Sequence, residues 1–246
     1  MKIISKLLLV AFFMPLFLSA QEEAEKKYHL VELTYIKVKV GMEAKFEEAI
    51  KNHNEKFHAD APYKAYLYSI NTGSDAGWYV WEMRGMTFAE MDSRPDTKAH
   101  GEDWNKNVAP YIKEYGRNEM WRSNYKLSHQ GENGGDKIVL WILNIERGEY
   151  YRFKAFMEKV IEIHKEQNES IYSFNNSFPQ NDGREFAIVW PFEKWGSFDE
   201  EDWSMKDKYD EKYGEGAWQD ALEEWEDVVE STSQEVWTNL GGASEE

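Results

Sequence analysis

Residues 33–46, LTYIKVKVGMEAKF, are matched by residues 140–153, LWILNIERGEYYRF. In each stretch an apolar segment is followed by a glycine and then by the opening of an amphipathic helix. Later matches keep the same order along the chain, Trp78–Trp81 with Ala187–Trp190 and Glu119–Trp121 with Glu235–Trp237. Two related units of roughly a hundred residues indicate a duplicated domain rather than a solenoid of short repeats.

Each unit carries the same succession of patterns. β-Branched and aromatic residues predict a first strand, and apolar residues at helical spacing predict a helix after it. A hairpin, a second helix and a last strand follow, which gives the order βαββαβ of a ferredoxin-like unit. The predicted strands are 30–38, 65–70, 78–83 and 119–125, then 138–145, 170–175, 186–192 and 235–240. The second helix of the first unit is expected to carry Trp104, Val108, Tyr111, Ile112 and Tyr115.

The chain begins with a pattern typical of a secretory signal peptide. Lys2 and Lys6 form a positive region before an apolar run over 7–18, and Ser19-Ala20 offers a small-residue cleavage site. The run is shorter than the roughly 20 residues that span a bilayer, which argues against a stable membrane anchor. We therefore expect an exported protein, periplasmic or secreted. The predicted segments are a signal peptide (1–20), a disordered lead-in (21–27), two repeats (28–127 and 137–240) joined by a linker (128–136), and a tail (241–246).

The composition is acidic and lacks cysteine. Asp and Glu number 46 against 29 Lys and Arg, for a formal net charge of −17. Such a balance repels phosphate backbones and anionic membranes, so nucleic acid is excluded as an expected partner. The absence of cysteine removes thiol nucleophiles and thiolate metal ligands, and it favours a bacterial exported protein over a disulfide-stabilised eukaryotic one.

A strand ending in Val38-Lys39-Val40-Gly41, followed by a helix opening Glu43-Ala44-Lys45-Phe46, resembles the dimeric α+β barrel superfamily. That superfamily includes antibiotic-biosynthesis-type monooxygenases, NIPSNAP-type proteins and, more distantly, haem proteins such as chlorite dismutase. The resemblance implies that two ferredoxin-like units pair their sheets into a barrel. Because this chain supplies two units, we expect an α+β fold with an intramolecular barrel, and a monomeric pseudo-dimer rather than an obligate oligomer.

Histidine recurs on the apolar stripe of the first helix in both units. A histidine on an apolar helix face is usually a core residue whose hydrogen bonds are made by neighbouring protein groups. The alternative is a histidine that faces a pocket and acts as a base, a haem ligand or a hydrogen-bond donor. The tryptophans that recur on the third strands belong either to the core or to a pocket for a flat ligand. The candidate ligand-binding residues are His53, His164, Trp81, Trp190, Tyr66, Tyr68 and Tyr172.

No motif in the sequence names a reaction. Nucleophilic-serine, phosphate-loop, dinucleotide-binding and zinc-protease motifs are absent, and the six histidines lack the spacing of paired metal ligands. No catalytic residue, metal site or cofactor is predicted, although haem remains open. The sequence favours a protein that binds a small apolar or aromatic molecule. Two alternatives remain, a cofactor-free or haem-dependent monooxygenase-type enzyme and an interaction or stress module with a filled barrel.

Overall fold

The computed structural model describes residues 26–95, 97–199 and 203–242. The strands within these residues are β1 (Leu30–Val38), β2 (Ala65–Thr72), β3 (Tyr79–Met86), β4 (Ile112–Ser123), β5 (Lys137–Ile145), β6 (Tyr172–Asn176), β7 (Phe186–Phe192) and β8 (Val229–Gly242). The α-helices are α1 (Glu43–Phe57), α2 (Phe88–Asp92), α3 (Lys98–Asp103), α4 (Tyr150–Glu166), α5 (Met205–Tyr213) and α6 (Ala217–Val228).

The strands form a closed antiparallel barrel in the order β1-β3-β2-β8-β5-β7-β6-β4. Strands of the first half of the chain follow one another as β4-β1-β3-β2, and those of the second half as β8-β5-β7-β6. The pairs β2–β8 and β4–β6 join the halves, with Ile70 opposite Trp237 and Trp121 opposite Asn176. Closure pairs both sides of every strand named above, which removes the open edges through which sheets associate.

Alternation along the strands separates the barrel interior from its outer face. On β3, Val80 belongs to the interior cluster, whereas Tyr79, Trp81 and Met83 pack outward beneath the helices. The same period of two residues operates on the other strands. The interior cluster is largely aromatic and aliphatic, and it includes Val31, Leu33, Tyr35, Tyr66, Tyr68, Ile70, Trp121, Leu140, Ile142, Ala187, Val189 and Trp237.

Helices cover the outside of the barrel in two separate apolar layers. In the first layer, Phe46 of α1 is buried in one cluster with Met83 of β3. In the second layer, the ring of Phe153 on α4 lies 4.9 Å from that of Phe186 on β7, in an edge-on contact. The sheet is thus covered by helices outside and encloses its own core inside, and the chain has the α+β class expected from the sequence.

The connection from β3 to β4 differs from the prediction. The helical segment ends in a π-helical turn (Trp104–Val108) and a 3₁₀ turn (Ala109–Tyr111), so Ile112 and Tyr115 lie in β4 rather than in a helix. Pro110 has no N–H and cannot continue an α-helix. The last strand of the second half also starts early, because Val229 already pairs with Ile145 directly after α6.

Residues 128–136, predicted as a linker, run beside the chain that leads into β6. His129 forms a bridge with Ile171, and the Gly131 amide donates to the Ser170 hydroxyl at 3.0 Å. The predicted signal peptide (1–20), residues 21–25 and the last four residues lie outside the described residues. Across the part of the chain that is described, no helix is both long and apolar enough to cross a bilayer.

Candidate functional site

The interior of the barrel contains a cavity of about 510 Å³. Most of its wall is aliphatic or aromatic and comes from inward-facing strand residues. Gly135 and Asp136, both exposed, mark the place where the cavity reaches the surface. The wall consists of His29, Val31, Leu33, Tyr68, Glu82, Arg84, Trp121, Gly135, Asp136, Ile138, Leu140, Ile142, Tyr172, Phe174, Arg184, Ala187, Val189, Pro191, Trp237 and Asn239.

Two charged residues of β3 interrupt this apolar wall. Glu82 is only 7% exposed, and its Oε1 lies 3.2 Å from Arg84 Nε. The pair is within ion-pair distance but is not aligned as a hydrogen bond, so Glu82 Oε1 has no hydrogen-bond partner among the described residues. The Arg84 guanidinium lies 4.0 Å from the centre of the Tyr66 ring. Burial raises the pKa of Glu82 above its ordinary value of 4.5, and Arg84 opposes that rise.

A second polar network, centred on Arg184, lies at the end of the cavity opposite Gly135 and Asp136. Arg184 Nε donates to Glu119 Oε1 at 2.6 Å, and its other nitrogens lie 2.7 Å from the Tyr35 hydroxyl and 3.4 Å from Glu235 Oε1. All three charged residues are buried. Burial raises the pKa of Glu235, although Arg184 opposes the rise.

Indole groups complete the Arg184 network. Trp121 Nε1 donates to Glu119 Oε2 at 3.0 Å, and Trp237 Nε1 donates to Glu235 Oε2 at 2.7 Å. The two Glu-x-Trp matches found in the sequence thus make the same internal hydrogen bond, one on β4 and one on β8. Arg184 lies between them and neutralises one of the two carboxylates.

The predicted site residues do not all lie together. Tyr68 and Tyr172 line the cavity, and Tyr66 is buried in the same interior cluster beneath Arg84. Burial raises the pKa of Tyr68, so its hydroxyl stays protonated at neutral pH.

The predicted tryptophans lie on the outer face of the barrel. Trp81 is buried under α1 and donates through Nε1 to Asn54 Oδ1 at 3.0 Å. Trp190 is half-buried, with its ring 5.4 Å from that of Trp141.

The two tryptophans also differ in register. Trp81 lies opposite Thr34, and Ile188 lies opposite Trp141. If Leu33 corresponds to Leu140, the counterpart of Trp81 is therefore Ile188, two residues before Trp190. A shift of two residues preserves the face of a strand, which explains why the sequence match still places both tryptophans outside.

The two predicted histidines also lie in the outer layers. His164 is buried on α4, its ring is 5.5 Å from that of Trp203, and its Nδ1 has no hydrogen-bond partner within the described residues. Burial, followed by the neighbouring His129, lowers the pKa of His164 to about 4. His53 is buried on α1, and burial lowers its pKa despite the opposing hydrogen bond to Asp103.

His53 belongs to a cluster of three histidines that the sequence spacing did not reveal. His53 Nε2 lies 3.2 Å from His100 Nε2, and His58 Nε2 lies 3.0 Å from the same atom. One ring nitrogen from each of the three histidines lies within 4.8 Å of those of the other two. The chain contributes His53 from α1, His58 from the residue after α1 and His100 from α3, so only the packing of α3 against the end of α1 brings them together.

No protein-family model matches the sequence, and no curated protein matches it either. Solved structures do share its fold. One is a proposed monooxygenase from Lactobacillus acidophilus NCFM, with a TM-score of 0.54 and 10% identity over 88% of this chain and 96% of that chain. An anthrone oxidase-like protein has a TM-score of 0.53 and 10% identity over 90% and 95% of the two chains. A variant of chlorite dismutase from Candidatus Nitrospira defluvii has a TM-score of 0.53 and 8% identity over 87% and 92%.

The chain thus shares an α+β fold with these solved structures, and the α+β class expected from the sequence is confirmed. Structural similarity at 8–10% identity shows a shared fold alone and leaves the chemistry to be argued from this chain's own residues.

Two sets of histidines bear on haem binding, one on the cavity wall and one in the outer cluster. Haem iron is held in proteins by His, Cys, Tyr or Met at its axial positions. On the described cavity wall the one histidine is His29, whose Nδ1 lies 2.8 Å from the Tyr125 hydroxyl, a contact that does not itself occupy Nε2. In the outer cluster, three imidazoles converge on one point, whereas a haem iron offers two axial positions on opposite sides of its plane. The outer cluster therefore does not have the geometry of a haem site.

Proposed function

We propose that the barrel cavity binds a small molecule with an aromatic or otherwise apolar body and one polar group. The observation that carries this proposal is the cavity of about 510 Å³, whose apolar wall is interrupted at Glu82 and Arg84. Ligand sites commonly combine such a wall with a few polar groups that fix orientation. Glu82 Oε1 lacks a hydrogen-bond partner within the described protein, so a ligand hydroxyl or amine would satisfy it.

Two further proposals concern the whole chain. We infer that the two halves are ferredoxin-like repeats of one duplicated unit, which the strand orders β4-β1-β3-β2 and β8-β5-β7-β6 support. We also infer that the protein is exported after cleavage near Gln21, which rests on the pattern at 1–20. Intact-mass measurement on protein from the exported fraction tests the cleavage, and retention of residues 7–18 would contradict it.

Binding can be tested with naphthol as the probe. Because Trp121 and Trp237 lie on the cavity wall, an aromatic ligand is expected to quench the tryptophan fluorescence as it is titrated into the protein. The substitution Ala187→Phe places a ring in the cavity and is expected to weaken binding at least about tenfold, a loss of roughly 1.4 kcal/mol. Ala155→Phe, at an exposed position of α4, is the matched control. Equal affinity in both variants would overturn the proposal.

A second candidate function is oxygenation of the bound molecule without a cofactor. The favouring observation is Glu82, a buried carboxylate whose raised pKa and unpartnered oxygen suit a general base inside the cavity. Glu82 would remove a proton from an activated CH₂ group, and molecular oxygen would be the oxidant. One oxygen atom would become the ketone oxygen of the product, and the other would leave as water with both hydrogens of the CH₂ group.

Oxygen consumption distinguishes this second function from binding alone. With anthrone as the probe, the wild-type protein is expected to consume one oxygen molecule per molecule of ketone formed. Glu82→Gln keeps a side-chain oxygen that can accept a hydrogen bond from the ligand, so it is expected to retain binding. It is expected to lose turnover by about 10²-fold or more, the range for removal of a general base. Binding of anthrone without oxygen uptake by the wild-type protein would leave only the binding function.

A further inference from the structure

We propose that His53, His58 and His100 bind a divalent transition-metal ion through their three Nε2 atoms. This cluster lies between α1 and α3, on the outer face of the barrel and apart from the interior cavity. His53 and His58 are buried, and His100 is half-buried. The inference therefore concerns a second site, independent of the proposed function of the barrel.

The distances suit a metal with nitrogen ligands. Nitrogen atoms bound to tetrahedral Zn²⁺ at 2.0–2.1 Å lie about 3.3 Å from one another. The observed separations from His100 Nε2 are 3.2 Å to His53 Nε2 and 3.0 Å to His58 Nε2. The ligand atoms of the three histidines all lie within 4.8 Å of one another, so binding would draw the rings of His53 and His58 together around the ion.

The Nδ1 atoms of His53 and His58 each lie beside a hydrogen-bond acceptor. Their Nε2 atoms therefore carry lone pairs that point towards the centre of the cluster. His58 Nδ1 lies 3.1 Å from the Tyr63 carbonyl oxygen, which can only accept, so Nδ1 carries the proton. His53 Nδ1 lies 2.9 Å from Asp103 Oδ2, and the carboxylate likewise selects the Nδ1–H form. In the neutral imidazoles both Nε2 atoms are then acceptors facing His100 Nε2. A single N–H on that atom can satisfy one of them, whereas a metal ion satisfies all three.

Asp103 and the surrounding rings form the support that metal-bound histidines usually have. A carboxylate or carbonyl on the second ring nitrogen fixes the tautomer and the ring orientation of a metal ligand. Asp103 is itself held by Lys56 Nζ at 3.1 Å and by the Asn107 amide at 3.0 Å. The ring of Trp104 packs edge-on against His53 at 5.1 Å.

The charges around the cluster also admit a cation. The positive groups Lys56 and Arg94 are both paired, Lys56 with Asp103 and Arg94 with Glu32 at 2.8 Å. The carboxylates thus offset the two side chains that would repel a metal ion. Imidazole ligands suit zinc, copper, nickel and iron, whereas magnesium and calcium prefer oxygen.

Three protein ligands leave a coordination position open, as in catalytic rather than structural zinc sites. A groove of about 440 Å³ reaches the cluster from the side of His100, and its wall also includes Trp81, Gly101 and Trp104. Water or a small ligand entering along this groove would take the open position. The site therefore belongs to the class in which a metal presents an exchangeable ligand to solvent.

The test is metal binding by the tag-free protein, because a polyhistidine tag would itself bind the ion. Protein stripped with a chelator is titrated with Zn²⁺ by calorimetry and with Co²⁺ by visible absorption. We expect one equivalent of each metal, with the intense visible bands of a low-symmetry four-coordinate Co²⁺ ion. Failure of the wild-type protein to bind one equivalent of either metal would overturn the proposal.

Variants locate the bound ion. His100→Ala is expected to abolish stoichiometric binding, and Asp103→Asn is expected to weaken it about 10–100-fold through loss of ring orientation. His164→Ala removes a buried imidazole outside the cluster and should bind as the wild type does. Zn²⁺ should raise the melting temperature of the wild type and of His164→Ala but not that of His100→Ala. Full binding by His100→Ala would place the ion elsewhere and contradict the assignment.

Discussion

Arg184 illustrates how one residue can determine whether a buried network is stable. It is buried between Glu119 and Glu235, and it is the cation within hydrogen-bond or ion-pair distance of both carboxylates. Arg184→Ala would leave both carboxylates in the interior without that partner. We expect the free energy of unfolding to fall by about 3–5 kcal/mol, the usual cost of breaking a buried pair from one side.

Chemical denaturation measures this loss. Lys98→Ala is the control, because Lys98 is 89% exposed in its surface pair with Glu102 and should leave the midpoint unchanged. An Arg184→Ala protein that unfolds at the wild-type midpoint would show that the network does not stabilise the fold.

Glu82 should make stability depend on pH in the direction opposite to that of a paired surface carboxylate. Burial raises its pKa in the folded state above the ordinary value of 4.5, so the folded protein holds the proton more tightly than the unfolded chain. The free energy of unfolding should therefore fall as the pH rises from about 4.5 through the folded-state pKa. Glu82→Gln removes this effect.

The expected result is that Glu82→Gln is more stable than the wild type at pH 7 and that the difference shrinks towards about pH 4. Denaturation curves of both proteins at several pH values measure it. A constant difference across that range would show that Glu82 does not titrate abnormally.

Two of the residues predicted to bind a ligand, Tyr68 and Tyr172, line the cavity, and their binding of a ligand stays a prediction. Tyr68 and Tyr172 could be placed on the cavity wall because strand alternation fixes the side on which a residue lies. Glu82 and Arg84 share the inward face of β3 and could have been found as charged residues on an otherwise apolar face. Arg184 lies in a loop, where no periodicity shows which side chains are buried. The contact between His100 and His53 depends on how α3 packs against α1. No local sequence pattern therefore predicts either feature.

Among the elements, β3 and β7 provide a direct comparison of two tryptophans. Trp81 is 7% exposed and donates a hydrogen bond to Asn54 of α1, whereas Trp190 is half-buried and its ring packs against that of Trp141. We expect Trp81→Ala to cost about 3–5 kcal/mol, the range for large buried aromatics, and Trp190→Ala to cost clearly less. Equal losses on denaturation would mean that the outer layers bury both residues to the same extent.

Strands were easier to predict than the segments between them. The positions of β1, β3, β5 and β7 follow from runs of β-branched and aromatic residues, and α1 and α4 follow from their apolar stripes. The chain between β3 and β4 was mispredicted because Tyr111, Ile112 and Tyr115 have the spacing of apolar residues on one face of an α-helix. Pro110 prevents that helix, and pairing with β1 stabilises the strand instead.

At the scale of the whole molecule, each half depends on the other to complete the barrel. Residues 26–127 alone would leave β2 and β4 without their partners β8 and β6. They would also expose the inward-facing surface that now forms the interior core. We expect this fragment to associate or aggregate and the full chain to be monomeric, as light scattering coupled to size-exclusion chromatography would measure. A folded, monomeric fragment would contradict this expectation.

The position of β8 in the barrel has a consequence for the order of events during synthesis. Residues 229–242 leave the ribosome after every other described strand, yet they bridge β2 and β5. The ring therefore cannot be closed until residues 229–242 have been synthesised, although the seven earlier described strands can pair with one another before that. If the protein is exported as proposed above, a ring that lacks β8 is still open during passage through a translocation channel, and the barrel is completed on the far side of the membrane.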